Sequence, residues 1–286
     1  MSKRNSADAK RAARLRLQAE RERQARKERL RRRLTVTGSA VVVLGIAAGI
    51  GVAIAGQNGG SNDATDWSAV RSQLDGDSGD SGDSKTPVYA DAAPAHTTGD
   101  DGLTLRIGDP DAPNTLTLYE DPRCPVCASL EQNLGDTIGQ GVEDGTYNID
   151  YVFGTFLDDS FGGSGSRNAL EALGAALDVS PEAFVAYHQA LYSAEHHPDE
   201  RSDDFGDDQN LIDIAQTVPE LKDNADFEAA VHDSTFAVWA LRMSDAFDDA
   251  DDVTGTPTLK YNGEVVDTPQ TPEAFEQLIA ANSAAE

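Results

Sequence analysis

The chain has two cysteines, Cys124 and Cys127, separated by two residues at the boundary between a predicted strand and a predicted helix. Residues three apart at a helix start lie on one face, within the Cα separation that a disulfide bridges. A loop this short constrains the unfolded chain little, so a purely stabilising disulfide is the weaker alternative. The spacing indicates a redox pair that opens and closes with little backbone movement.

The segments around the pair have the order of a βαβ unit. Apolar and polar residues alternate over 103–107 and again over 115–119, which predicts two strands joined by a proline-containing turn. A helix is predicted over about 128–138 and a third strand over 147–153. The cysteines therefore lie where the second strand leads into a helix.

A mainly helical region of about 100 residues follows, before a hairpin and a last helix. Asn262-Gly263 between short apolar runs predicts the tight hairpin. The last helix, over 271–280, has Thr271 as N-cap and Pro272 in its first position. Apolar residues at helical spacing predict the intervening helices, over 167–177, 181–193, 211–218 and 225–247.

The N-terminal hundred residues differ in composition from the rest. Residues 1–33 hold 14 of the 23 Lys and Arg but only four of the 50 acidic residues. Residues 34–55 are uncharged and mostly apolar, long enough for a transmembrane helix. The positive-inside rule then predicts a cytoplasmic tail, with everything after the anchor extracytoplasmic. The composition of residues 56–100 predicts a flexible acidic Gly/Ser/Asp linker, followed by a folded domain at 101–286. The alternative to a retained anchor is a signal peptide that is cleaved after Ala55.

The helix gives the two cysteines different roles. The thiolate is the reactive form, and a helix N-terminus stabilises it through the macrodipole and unpaired N–H groups. Cys124 is therefore predicted to be the exposed nucleophile, and Cys127, one turn further on, the shielded resolving thiol. Pro125 fits the first turn, where its missing N–H costs nothing. Arg123 is expected to be a solvated neighbour.

Other chemistries remain open from the residues alone. A zinc site needs about four ligands, so histidines would have to join the two cysteines. The candidates do not have the paired, CxxC-like spacing of zinc ligands; they are His188, His196, His197 and His232. The Asp-rich loop 199–208 could bind calcium at the surface. A membrane-tethered binding module without turnover is a further alternative.

A second motif, Thr254-Gly255-Thr256-Pro257-Thr258, leads into the hairpin. By itself such a proline is typical of an edge strand. Combined with the CxxC after the second strand, a helical insertion at about 160–250 and the terminal helix, the motif resembles the DsbA-like branch of the thioredoxin superfamily, in particular its membrane-anchored actinobacterial members. The resemblance covers about 103–280. It implies an α/β thioredoxin fold with an inserted helical subdomain, preceded here by one transmembrane helix.

The same resemblance implies a function. Pro257 is expected to be cis and to lie beside the cysteines, with Thr256 offering backbone groups to an extended substrate and Pro125 and Val126 completing the binding surface. The expected activity is dithiol oxidation in exported proteins without a cofactor, and a quinone-linked membrane thiol oxidase would reoxidise the pair. A reductase or isomerase of the same fold is the alternative.

Two positions depart from the family pattern. Many relatives have a buried acid six residues before the first cysteine, where this chain has Leu118. Glu120 or Asp121 could substitute for it, but both are expected to be solvated at the strand end. The Pro125-Val126 dipeptide lacks the histidine of the most oxidising members. The direction of exchange therefore stays open at the level of sequence.

Overall fold

The computed structural model describes residues 65–76 and 87–283. The predicted basic tail, the apolar segment 34–55 and part of the predicted linker lie outside the described residues. Within the described part, no helix combines the length and the apolar character needed to cross a bilayer.

The centre of the domain is one five-stranded mixed sheet with the order β1-β3-β2-β4-β5. β2 and β3 are parallel, as the predicted βαβ unit requires, and the other neighbours are antiparallel. Leu118 lies in the middle of the sheet, opposite Tyr151 on β3 and Leu259 on β4. The strands are β1 Leu105–Ile107, β2 Thr115–Glu120, β3 Asn148–Phe153, β4 Thr258–Tyr261 and β5 Glu264–Val266.

The predicted hairpin and α/β architecture are confirmed. Asn262 and Gly263 have φ values of 50° and 86°, the left-handed pair that a two-residue hairpin needs. The helices between β3 and β4 form the predicted insertion. The helices are α1 Trp67–Leu74, α2 Pro125–Glu143, α3 Phe156–Phe161, α4 Gly165–Val179, α5 Pro181–Tyr192, α6 Asp208–Ala215, α7 Ala225–His232, α8 Ala237–Asp248 and α9 Pro272–Ser283.

The prediction of one helix over 225–247 is wrong, because the chain breaks between α7 and α8. Ser234 has a φ of 51°, which no α-helix accommodates, and it is buried. Its hydroxyl lies 2.6 Å from that of Thr65. Apolar residues recur at helical spacing on both sides of the break because α7 and α8 both pack their apolar faces against α4.

The flexible linker predicted over 56–100 is also wrong for 67–74, which form α1. Asp66 caps this helix by accepting from the backbone N–H groups of Ser68 and Ala69. The indole of Trp67 donates to Asn168 Oδ1 at 2.8 Å, and Val70 is fully buried against α8. This helix therefore belongs to the folded domain.

Helix α4 forms the centre of the insertion and is buried along most of its length. Its Gly174 lies where a Cβ atom would be 2.8 Å from the indole of Trp239, so the missing side chain lets α8 pack closely. The last helix, α9, is capped by the Thr271 hydroxyl, which accepts from the Ala274 N–H at 3.3 Å as predicted.

Candidate active site

The two cysteines lie at the point where β2 passes into α2. Cys124 is the N-cap residue of α2, Pro125 is its first residue, and Cys127 follows in the first turn. The connection is tight, since the Cys124 N–H donates to the Asp121 carbonyl at 2.9 Å. The Cys124 carbonyl then accepts the helix's first hydrogen bond, from Ala128. The sequence thus directs both sulfurs to the positive end of a 19-residue helix.

Cys124 is less accessible than predicted, because only 6% of its surface is exposed. Its thiol contacts the loop before β4 and donates to the Thr256 carbonyl at 3.7 Å. A hydrogen bond from the Cys127 thiol lowers the pKa of Cys124 to about 6, and the Thr256 side chain and the N–H groups of Cys127 and Val126 contribute, against an opposing effect of burial. At neutral pH this sulfur is therefore mostly thiolate.

Cys127 is completely buried, and both cysteines are thiols in this structure. Burial raises its pKa well above the ordinary value, and the hydrogen bond to Cys124 and the charge of Glu120 act in the same direction. Its surroundings are Ala128, Leu157 and the ring of Tyr192. One cysteine therefore carries the negative charge while the other keeps its proton.

The loop before β4 covers the pair from the other side. The Thr256–Pro257 peptide bond is cis, as the resemblance implied, and both residues are half-buried. Pro125 and Val126 are exposed, with 54% of Val126 accessible beside the buried sulfurs. The structure thus brings together all six residues proposed for the site. The substrate-binding roles of Thr256, Pro257, Pro125 and Val126 stay predictions.

Glu120 is fully buried, so its expected place among solvent-exposed residues is wrong. One of its oxygens, Oε2, lies 2.7 Å from Nε2 of His188 on α5, and its other oxygen, Oε1, has no hydrogen-bond partner. Burial raises the pKa of Glu120 well above its usual range, and the nearby Cys124 charge adds to the effect. Leu118 occupies the position at which many relatives have a buried acid. Glu120, two residues later, is buried instead, in contact with helix α5 of the insertion.

Asp121 and Arg123 are also buried, contrary to prediction. Asp121 accepts from Ser166 at 2.7 Å and from the backbone N–H groups of Arg123 and Leu157, while burial raises its pKa to about 7. The Arg123 guanidinium bonds to Asp158 at 2.8 Å. These contacts orient the turn that holds Cys124 rather than supplying positive charge to its sulfur.

A metal site was one alternative for the histidines. Within 65–76 and 87–283, one group of possible ligands converges: Glu120, Glu131 and His188, whose ligand atoms lie within 4.8 Å of one another. Neither cysteine belongs to it. The 2.7 Å separation of Glu120 and His188 is that of a hydrogen bond, and it is shorter than adjacent ligands around an ion bound at about 2.1 Å would adopt. The group is therefore a hydrogen-bonded cluster.

The Asp-rich loop 199–208 does not form such a group in the described part of the chain. Its Asp203 carboxylate instead accepts from the N–H groups of Ser164 and Gly165 at the start of α4. The same carboxylate lies 3.5 Å from the Arg123 guanidinium. This acidic residue therefore has a local structural partner on both sides.

Sequence reasoning missed Glu131, His188 and Tyr192, which come from α2 and α5 and meet beneath the cysteines. The signal for His188 was its place in the apolar stripe of α5, with Phe184 and Leu191 on the same buried face. Glu131 gave no signal, because an acid in an amphipathic helix is normally solvated. Their proximity to Glu120 depends on how α5 packs against α2.

Comparison with known proteins agrees with the geometry. A family model described as thioredoxin matches residues 100–281. The reduced disulfide-bond oxidoreductase DsbG of Mycobacterium tuberculosis is 26% identical, with a TM-score of 0.53, over 62% of this chain and 86% of its own. Reduced DsbA of the same organism is 26% identical, with a TM-score of 0.50, over 62% and 91%.

Two further proteins are similar to this chain, one in fold and one in part of its sequence. The thiol-disulfide oxidoreductase MdbA of Actinomyces oris has a TM-score of 0.54 at 22% identity, over 68% of this chain and 93% of its own, which is a likeness of fold. The serine/threonine-protein kinase PknE of M. tuberculosis is 27% identical over 207 residues, covering 66% of this chain. The chain spans about a third of the length of these curated kinase relatives, 35%.

The fold is that of thiol–disulfide oxidoreductases, and the paired thiols at a helix N-terminus suit the same chemistry. The chain belongs to the thioredoxin family, in its DsbA-like branch.

Proposed function

We propose that this protein is a membrane-anchored, extracytoplasmic protein dithiol oxidase, which forms disulfides in exported proteins through Cys124 and Cys127. The observation that carries the proposal is the opposite behaviour of the two thiols. The pKa of Cys124 is lowered to about 6, whereas burial raises that of Cys127. This asymmetry supports Cys124 as the nucleophile and Cys127 as the resolving thiol, and it also bears on the direction of exchange.

A low cysteine pKa favours the reduced form of the pair. At pH 7, lowering the pKa of Cys124 from 9.0 to about 6 stabilises the dithiol by about 1.4 kcal/mol, or about 30 mV of reduction potential. Cys127 remains a neutral thiol at this pH and contributes nothing of the kind. The disulfide is therefore a stronger oxidant than one between ordinary cysteines. This effect supports oxidation although the chain lacks a histidine between its cysteines.

The proposed cycle begins with the disulfide form. A substrate thiolate attacks Cys124 Sγ, the Cys124–Cys127 bond breaks, and its electron pair passes to Cys127, which takes up a proton. A second substrate thiolate then attacks the substrate sulfur of the mixed disulfide, and Cys124 leaves as a thiolate. The substrate has lost two electrons and two protons, and the enzyme is the dithiol.

The location and the partner are part of the same proposal. The basic residues 1–33 and the apolar segment 34–55 favour a single-pass anchor with a cytoplasmic N-terminus. Regeneration of the disulfide requires an electron acceptor, for which a quinone-linked membrane thiol oxidase is proposed by family resemblance. Protease added to cells stripped of their wall should digest residues 101–286, and protection of this domain from the protease would contradict the location.

The activity is tested by two single variants. Cys124→Ser should abolish oxidation of a model dithiol peptide, because it removes the attacked sulfur. In Cys127→Ala, the Cys124 thiolate should attack the disulfide form of the peptide and release one peptide thiolate, and the resulting mixed disulfide should persist because no Cys127 thiol is present to attack Cys124 and expel the peptide. The measurement is peptide oxidation together with mass spectrometry of trapped adducts, and Ser129→Ala on the exposed face of α2 is the matched control. Retention of activity in Cys124→Ser would refute the proposal.

A further inference from the structure

Cys127 presents a problem for the cycle proposed above. When the disulfide opens, this sulfur becomes a thiolate, and its high pKa means that it must receive a proton. None of its surface is exposed, so water does not reach it directly. The proton has to pass through groups inside the protein.

The buried cluster beneath the cysteines provides such groups in a row. Cys127 lies one turn before Glu131 on the same face of α2, and a carboxyl oxygen of Glu120 lies within 4.8 Å of one of Glu131. The next group is His188, whose Nε2 is 2.7 Å from Glu120 Oε2. The other ring nitrogen of His188, Nδ1, is 3.9 Å from Glu131 Oε2. A movement of the Glu131 carboxyl group by about one ångström would bring these two atoms within hydrogen-bond distance.

The last group of the row, Glu131, lies beside a cavity that opens to solvent. The Glu131 side chain is 5% exposed and lines a cavity of about 270 Å³ between α2 and α5, which is open to solvent. Gln132 and Tyr192 also line this cavity, and the Gln132 amide donates to the Tyr192 carbonyl at 2.7 Å. A cavity of this size admits several water molecules.

The surroundings keep the cluster free of fixed positive charge. Among the described residues, the ion pairs formed by Glu120 and Glu131 are with His188 alone. The other titratable groups that face the cluster are the Tyr151 hydroxyl from β3, Tyr192 from α5, Asp121 at the end of β2 and the two cysteines. Two carboxyl groups without a cation in such a site are held as neutral acids, and burial raises the pKa of Glu131 to about 8.

We infer that Glu120, His188 and Glu131 form a proton relay between Cys127 and the solvent-filled cavity, and that His188 and Glu131 are relay residues of the exchange reaction. The inference rests on the proposed function, since it supplies the proton which that cycle requires at Cys127. In the part of the chain that the structure describes, Glu120 Oε1 and Glu131 Oε1 are buried oxygens with no hydrogen-bond partner, so both are free to carry a proton.

The proton count closes over one cycle. When Cys127 leaves as a thiolate, Glu120 gives it a proton, His188 Nε2–H restores that of Glu120, and Glu131 protonates Nδ1. Glu131 is then reprotonated by water in the cavity. When the pair is reoxidised, Cys127 loses its proton and each transfer runs in reverse. His188 returns to its first tautomer without turning its ring, which suits a side chain packed between Tyr151 and Tyr192.

The test uses the full-length protein and follows reduction of its disulfide form by a dithiol peptide, with rapid acid quenching. Glu131→Ala should slow the opening step about a hundredfold, the lower end of the range for general acid–base catalysis. Formate should restore the rate, because a small acid enters the cavity and replaces the missing carboxyl. Asp136→Ala, an exposed acid that lines the same cavity, is the matched control and should keep the wild-type rate.

Three results would overturn the inference. The first is a wild-type rate in Glu131→Ala, and the second is a slow rate that formate does not restore. The third is a zinc-dependent rise in the melting temperature of the wild type that His188→Gln abolishes, which would make the cluster a metal site. His188→Gln should also lose the solvent deuterium isotope effect of the opening step while the thiolate absorbance of Cys124 is unchanged. Failure of the relay leaves the Cys124→Ser result intact, so the two proposals fail separately.

Discussion

At the scale of single residues, the site depends on an unequal division of charge between two sulfurs. Cys124 caps α2 and receives hydrogen bonds, whereas Cys127, one turn later, is enclosed by apolar groups. The hydrogen bond from the Cys127 thiol is the largest cause of the low pKa of Cys124. Removing either cysteine therefore changes the chemistry of the one that remains.

The division of charge predicts how reactivity depends on pH. Alkylation of reduced wild-type protein by iodoacetamide should rise with pH and reach half its maximal rate near pH 6, since the thiolate is the reacting form. In Cys127→Ala the midpoint should move upward, because the main hydrogen-bond donor is lost. The measurement is the rate of Cys124 modification by mass spectrometry between pH 4 and 10. A wild-type midpoint near 9.0, the ordinary value, would contradict the assignment.

Spacing and neighbouring residues predicted that the cysteines lie where a strand leads into a helix, and the family resemblance implied that the Thr256–Pro257 bond is cis. The sequence did not predict that Glu120, Asp121 and Arg123 are buried. All three follow a strand end, where charged residues are normally solvated. Their burial results from the insertion packing over the strand end, and no local pattern reports that packing.

At the scale of secondary-structure elements, Arg123 connects the turn before α2 to the helical insertion. Its guanidinium bonds to Asp158 on α3 and to the carbonyls of Gly162 and Glu200. The side chains of Arg123 and Asp158 are both fully buried. This buried ion pair therefore joins the contacts of Asp121 in fixing the position of Cys124 relative to the insertion.

Breaking this pair should be costly. Arg123→Met is expected to lower the free energy of unfolding by about 3 kcal/mol, because the buried Asp158 carboxylate loses its closest cation. Among the described residues, it keeps only the backbone N–H groups of Ser166 and Arg167 and a 3.9 Å contact with the Arg167 guanidinium. Arg242→Met removes a surface pair with Asp91 and should cost at most about 1 kcal/mol. Urea denaturation measures both. Equal effects of the two variants would show that Arg123 does not have this structural role.

The periodic elements were predicted more accurately than their ends or interruptions. The strands and the helices after β3 follow from apolar spacing, and the hairpin from Asn262-Gly263. The break at Ser234 was missed because apolar residues continue at helical spacing on both sides of it. It depends on a contact with Thr65, 169 residues away in the chain.

At the scale of the whole molecule, the folded domain begins earlier than the family match suggests. The match starts at residue 100, but α1 packs against α8 and pairs Arg71 with Asp245 through two hydrogen bonds. Its sequence lies in a region rich in Gly, Ser and Asp, which hid an eight-residue helix.

Removing α1 should therefore destabilise the domain. A chain beginning at residue 87 is expected to unfold with a free energy roughly 2–4 kcal/mol lower than one beginning at residue 62, since burial of a large apolar side chain contributes about 1.5–3 kcal/mol. Val70 is fully buried and Trp67 half-buried in the longer chain. Thermal or urea unfolding of the two chains checks this. Equal stabilities would mean that α1 is not part of the cooperative unit.

The central claim is that the pair Cys124 and Cys127 acts as an oxidant, and its reduction potential tests this most directly. The purified protein is equilibrated with glutathione buffers of graded composition at pH 7, and the reduced fraction is measured after acid quenching and alkylation. The low pKa of Cys124 is expected to place the potential above the value of about −270 mV for thioredoxin, in the direction of the value of about −120 mV for DsbA. A potential at or below the thioredoxin value would contradict the oxidase function and favour a reductase.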